Sequence, residues 1–336
     1  MSKKKVAVIG CGMSSAAFYH FLDKNKFEVT FFEKSRGIGG RMSSRRIEGL
    51  TFDHGASCFG AIRSEKFKEF IKPYIAKGIV SEWNGVFKYL DGDSMRYCDF
   101  EKKERLVCRS QSNLLVKDIL SHPAQNGEIK FSSKVIEIVN DGQKRNSILT
   151  DDDIVHEGFD YVISSAPAPQ TLQIFPKDFC FLKFLRAAEY YTTFVLMLSF
   201  SKDQAIDFSH LAVTNSIIAR ISYENSKGGN RDFNMDCFVI NANNVFSRAT
   251  QNMDHEIIKR DLLDEFLRLT KLDQTKLKDA ILHRWLYANA ATSYNYPVLL
   301  DTNLNIGAIG DYVKEPRVEM TFEVGVEMAE NLNHLN

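Results

Sequence analysis

Polar and apolar residues fall in blocks at the start of the chain: Lys3-Lys4-Lys5 runs into Val6-Ala7-Val8-Ile9, and a glycine follows at once. A short unbroken apolar run bounded by lysine and glycine predicts a strand buried on both faces of a parallel sheet. Phe18, Phe21 and Leu22 then recur at helical spacing, with Ser14 and Ser15 positioned to cap the helix. Lys24-Asn25-Lys26 closes it, and Val29 to Phe32 predicts a second buried strand ending at Glu33. Strand, glycine loop, helix and strand make a complete βαβ unit.

Between Cys58 and Tyr97 the pattern turns polar and aromatic, as in Glu82-Trp83-Asn84-Gly85, which marks departure from the first lobe. It returns with a helix predicted over Ser112 to Leu120 and a strand over Lys134 to Val139, with an Asp141-Gly142 turn behind it. Tyr161-Val162-Ile163 predicts another buried strand, stopped by Ala166-Pro167-Ala168-Pro169. From Gln170 to Ala290 the chain is strand-like and aromatic, with one helix whose Ile258, Leu262, Phe266 and Leu269 share a face. A strand at Ile306 to Ile309, a Gly310-Asp311 turn and a helix burying Phe322, Val326 and Ala329 follow. The expected organisation is α/β and discontinuous: a nucleotide-binding domain over 1–60, 105–168 and 290–336, and a mixed-sheet α+β substrate domain over 61–104 and 169–289.

Composition narrows the function classes. The chain has 336 residues, 44% of them hydrophobic, enough for about two domains. Lys plus Arg and Asp plus Glu both number 43, so no charge excess draws it to nucleic acid or anionic lipid. The six cysteines are scattered without a Cys-x-x-Cys pair, which argues against structural zinc and a disulfide framework, and no metal is expected. The opening apolar run is too short for a signal peptide, and no stretch approaches the ~20 apolar residues of a membrane span. The expectation is a cytoplasmic, reduced protein with no membrane partner.

Gly10-Cys11-Gly12-Met13-Ser14-Ser15 matches G-x-G-x-x-G except at Ser15. Gly10 permits the tight turn and Gly12 lets backbone approach a diphosphate, whose charge is met by the helix N-terminus. The third position governs helix–strand packing, where a small Ser can substitute. Glu33 stands where a carboxylate would accept hydrogen bonds from a ribose diol. Arg36-Gly37-Ile38-Gly39-Gly40-Arg41-Met42 offers a second approach of backbone and guanidinium to the diphosphate, and Phe52-Asp53-His54-Gly55-Ala56 follows.

A βαβ unit followed by R-x-G-G-R and F-D-H-G-A resembles the flavin amine-oxidase superfamily. Within it the chain looks most like the renalase-like oxidoreductases over nearly its full length. The further similar pieces are Ala166-Pro167-Ala168-Pro169-Gln170, His283-Arg284-Trp285-Leu286-Tyr287-Ala288, Gly310-Asp311-Tyr312 and Arg317-Val318-Glu319. The resemblance implies an FAD-binding Rossmann-like domain of the GR2 or amine-oxidase type. Expected FAD contacts are Gly10, Gly12, Met13, Ser14 and Ser15 in the first loop, Glu33 and Lys34 after the second strand, and Gly40, Arg41 and Met42 in the arginine motif. His54, Gly55, Ala56, Val135, Ala166, Asp311 and Val318 complete the expected set, with the final helix N-terminus facing the isoalloxazine. Two departures stand out: Met320-Thr321-Phe322 is bulkier than the small residues usual in the family, and Tyr312 to Pro316 is less glycine-rich.

No second glycine-rich βαβ unit and no redox-active cysteine pair occur, so the hydride is expected from a small substrate entering the second lobe. The resemblance implies oxidation of 2- or 6-dihydro isomers of NAD(P)H to NAD(P)+, with dioxygen as acceptor giving hydrogen peroxide. Such a donor needs no strong base. Trp285, Tyr287 and His283 are the candidates lining the substrate side, where aromatics can sandwich a flat ring, although Trp285 and Tyr287 could equally be core on one face of a strand. Arg220, Lys227 and Arg231 could meet substrate phosphates or simply be solvated. Rival readings are an amine or polyamine oxidase, a lipid desaturase, and a flavin-binding module without turnover.

Overall fold

The computed structural model describes residues 2–99, 105–142, 144–202, 204–229, 231, 233–291 and 294–335. Lys4–Ile9 is a central strand, paired in parallel with Phe27–Glu33 on one side and Tyr161–Ser164 on the other. Ile129–Phe131 and Ile306–Ala308 extend this parallel arrangement outward, and Leu299–Asp301 adds an antiparallel edge to give six strands. Both faces are covered, which is why Val6, Ala7 and Val8 are fully buried and the run is unbroken rather than alternating. The parallel strands bring their carboxyl ends to one edge, where α/β sheets place their ligands.

The helix after the glycine loop, Met13–Phe21, packs against the final helix, Val318–His334. The approach is so close that a Cβ on Gly325 would lie 2.2 Å from the carbonyl oxygen of Ser14. Phe322, Val326 and Ala329 are fully buried, as expected. A helix not anticipated, Glu65–Ala76, places Phe67 and Phe70 against Phe322, with ring centroids 5.1 and 4.7 Å apart. Its charged residues mask an i, i+4, i+7 set of Phe67, Ile71 and Tyr74 that faces inward.

Two local expectations are corrected and a third is extended. Ser14 and Ser15 do not cap the first helix: Gly12 is its N-cap and both serines lie buried in its first turn. The helix expected from Ser112 starts at Leu114, because the Ser112 N–H donates to Asp53 and its hydroxyl to the Ala56 carbonyl. Pro167 and Pro169 do more than stop a strand, for they open a helix, Ala168–Ile174, where a missing N–H costs nothing.

A second sheet of seven strands runs in the order Leu277–Ala290, Tyr190–Ser201, Met235–Ala242, Ile218–Tyr223, His210–Thr214, Phe87–Asp91, Tyr97–Asp99. One face carries Phe194, Leu196, Leu198, Phe200, Phe238 and Ile240, which form a core with Ile258, Leu262, Phe266 and Leu269 of the helix His255–Thr270. The opposite face carries Val195, Met197, Cys237 and Val239, packed on Leu50 and Phe52 of the hairpin that follows the arginine motif. Side chains alternate along a strand, so this second face also carries Asn241, Arg220 and His283, which are neighbours of Val195 in one cross-strand row. Among the described residues no helix is long and apolar enough to cross a membrane, and no cluster of His, Cys, Asp and Glu could hold a metal ion.

Candidate functional site

Gly10 has φ +94°, and a Cβ there would sit 2.6 Å from the Ser165 hydroxyl, so the turn after the first strand requires glycine. Gly12 caps the helix without any side-chain bond, and nothing lies within 4 Å of where its Cβ would be. The helix N-terminus is thus free of a capping side chain and open at the Gly12 Cβ position, an arrangement suited to a diphosphate. Met13 and Ser14 are buried, so their contribution to such a ligand is backbone. Ser15, in place of the third glycine, donates its hydroxyl to Ser165 at 2.7 Å and ties the helix to the end of the neighbouring strand.

Glu33 is buried at the lip of this loop. One carboxylate oxygen accepts the Cys11 N–H at 2.8 Å, and the other accepts the Ser35 N–H and hydroxyl at 2.8 and 2.6 Å. A carboxylate offers about four lone-pair sites, so capacity remains for a ribose diol. Cys11 is no nucleophile: burial, then Glu33, push its thiol pKa far up. Lys34 is exposed and reaches Gln170 at 3.3 Å.

The arginine motif folds back onto the glycine loop. The Gly39 N–H donates to the Cys11 carbonyl at 2.9 Å, and a Cβ on Gly40 would lie 3.3 Å from the Gly12 Cα. Arg41 forms a two-pronged ion pair with Asp311, at 2.6 and 2.8 Å, whose oxygens also accept the Tyr190 hydroxyl at 2.9 Å and the Ala290 N–H at 2.8 Å. Burial opposes ionisation of Asp311, but the Arg41 charge and these bonds outweigh it and hold the carboxyl below its usual range. The F-D-H-G-A segment is sewn to the same strip: Ala56 donates to the Arg41 carbonyl at 2.8 Å, and a Cβ on Gly55 would meet that oxygen at 2.1 Å. Met42 is core, Val135 is buried at the start of a strand, Ala166 lies just past the end of another, and Val318 begins the final helix.

Where the second sheet meets this strip, three rings converge. His54 stacks on Trp285 with centroids 5.3 Å apart at 20°, and His283 meets both edge-on at 4.7 Å. The Trp285 indole N–H donates to the His54 carbonyl at 2.8 Å. His54 Nδ1 and His283 Nε2 are buried without a hydrogen-bond partner. Burial, then His283, lower the His54 pKa to about 4, and burial with the Arg45 charge lowers that of His283, so both rings favour the neutral state. Tyr287 stands apart from this trio, edge-on to Tyr190 at 5.6 Å.

Sequence reasoning missed the role of Asp53. It is fully enclosed in a quartet with Glu224, Lys227 and Arg231: Lys227 lies 3.0 Å from Asp53 and 2.7 Å from Glu224, and Arg231 lies 2.7 Å from each. Lys227 and Arg231 are therefore neither solvated nor available to a substrate phosphate. The Glu224-Lys227 spacing of three was the available hint, but its partner Asp53 is distant in sequence.

A family of NAD(P)-binding Rossmann-like domains matches residues 8–74. A 4,4'-diapophytoene desaturase from Staphylococcus aureus is 43% identical over 51 residues, 15% of this chain and a tenth of that protein. A protein assigned as a protoporphyrinogen oxidase from Exiguobacterium is similar over 99% of both chains, with TM-score 0.78 and 14% identity. Putrescine oxidase bound to putrescine is similar over 98% of this chain and 99% of its own, with TM-score 0.72 and 11% identity. The chain shares the fold of these two solved structures.

Proposed function

We propose that the chain is an FAD-dependent oxidoreductase that accepts a hydride from a flat-ringed small molecule, a renalase-like activity on isomeric dihydronicotinamides. The observation that carries this reading is the convergence of the Gly10–Gly12 loop, Glu33 and the Arg41–Asp311 pair with the His54–His283–Trp285 rings. In this reading the segments of the six-stranded sheet hold the dinucleotide and the seven-stranded sheet supplies the substrate side. When bound, FAD supplies a two-electron acceptor for the hydride, and dioxygen plus a proton take those electrons to give hydrogen peroxide.

The chain's own residues orient the donor. Trp285 and His54 offer flat faces to a ring, and the unpaired His54 and His283 nitrogens offer hydrogen bonds to a neutral amide substituent. Neutral imidazoles match a donor whose ring nitrogen lone pair expels the hydride without a base. A cationic amine suits the site less well: Arg45 places positive charge beside both imidazoles, and Asp53 is already met by two cations.

The test is the absorbance spectrum of the purified protein, followed by anaerobic addition of 2- and 6-dihydro-NAD(P) isomers or of putrescine. Yellow protein bleached by the dihydronicotinamides supports the proposal. Bleaching by putrescine alone transfers the assignment to amine oxidation. Colourless protein that takes up no flavin overturns it.

A further inference from the structure

We infer that Arg220 is a specificity-determining residue that receives an oxyanion, a phosphate or carboxylate, carried by the substrate. The inference rests on the ring site proposed above and deepens it by naming a second recognition point.

Arg220, Asn241, Val195 and His283 are successive partners across four neighbouring strands, so their side chains leave the same face of the sheet. Three interstrand steps of ~4.8 Å put Arg220 roughly 14 Å from His283 at the backbone, a separation on the scale of a nucleotide, with Val195 and Asn241 of the row buried between them. Asn241 accepts the Arg220 Nε–H at 3.0 Å, which fixes the stem and leaves the two terminal amino groups as a free fork. Among the described residues Arg220 has no carboxylate partner.

Its neighbours make that lack informative. Lys227 and Arg231, a few residues along the chain, are each given two carboxylates. Arg220 is given none, although the surrounding protein desolvates it enough to lower its pKa, an effect only partly offset by Cys58. Its side chain is nonetheless accessible, as that of a residue lining a cleft would be. His210, on the next row of the same face, is pushed to about 3 first by burial, with the charges of Arg220, Arg105 and Lys227 adding to the shift. An accessible guanidinium whose stem is fixed and whose fork is unmatched by the fold suits an anion that arrives from outside.

The test uses the flavin-loaded protein, whose diphosphate loop is filled. Inorganic phosphate and acetate are titrated by calorimetry into wild type, Arg220→Gln and Arg220→Lys. The expected result is binding of one oxyanion, weakened about ten- to hundred-fold in Arg220→Gln and less in Arg220→Lys; the arm that responds identifies phosphate or carboxylate. Binding that is absent in wild type, or equal in Arg220→Gln, overturns the inference. Anaerobic reduction by dihydronicotinamide mononucleotide and by the uncharged riboside then separates the two proposals. A half-saturation raised at least ten-fold for the mononucleotide alone supports both. Failure of either donor to bleach the flavin sinks the ring-site reading while the titration still decides Arg220.

Discussion

Arg41 and Asp311, 270 residues apart in sequence, close on each other through two parallel N–H···O bonds of 2.6 and 2.8 Å. This contact joins the loop after the second strand to the turn before the final helix, and so pins two walls of the proposed dinucleotide site. Asp311 also receives Tyr190 and Ala290 at the edge of the second sheet.

Asp311→Ala should therefore destabilise the protein by about 3–5 kcal/mol, since it strands a partly buried guanidinium and two further donors. Urea unfolding measures this, and flavin content should fall in parallel. Asp311→Asn, which keeps an acceptor, should lie between the two. A loss under 1 kcal/mol for the alanine variant would contradict the assignment.

Gly325→Ala should cost about 1–3 kcal/mol, because its Cβ would collide with backbone at Ser14 rather than with a movable side chain. The relief available is a shift of the helix whose N-terminus we propose to meet the diphosphate. Flavin dissociation, followed by fluorescence, should be faster in this variant.

Lys227→Met removes one cation from a quartet in which every side chain is 0 to 1% exposed. Asp53 and Glu224 then share Arg231 alone, and the expected loss is about 3–5 kcal/mol. Thermal unfolding at neutral pH reads the effect, and an unchanged midpoint would show the quartet to be dispensable.

The stability of the wild type should decline as pH falls from about 6.5 to about 4. His54, with a folded pKa lowered to about 4, binds fewer protons folded than unfolded in that window, so stability rises with pH across it and is fully present above it. The loss by pH 4 is on the order of 3 kcal/mol. His210 and His283, also lowered, add slope of the same sign. His54→Phe should therefore make this portion of the stability–pH curve shallower without abolishing it, and a curve parallel to wild type would rule out a contribution from His54.

The first βαβ unit was legible because every piece of it is local: an unbroken apolar run, two glycines, a helical stripe and Glu33 follow one another within a short segment. The buried helical stripe of Ile258, Leu262, Phe266 and Leu269 was legible for the same reason, since periodicity alone says which side faces inward. The helix Glu65–Ala76 was missed because its lysines and glutamates obscure three inward residues, whose burial depends on distant partners such as Phe322 against Phe67. The site behaved likewise. Glycines and acids near the first loop could be named from their spacing, whereas the partners that give Asp53, Arg41 and His54 their roles come from segments more than a hundred residues away. Backbone preferences and side-chain periodicity act over a few residues and are written in the chain's order. Charge pairing and ring contact depend on distance in space, and that distance exists only once the two sheets have packed together.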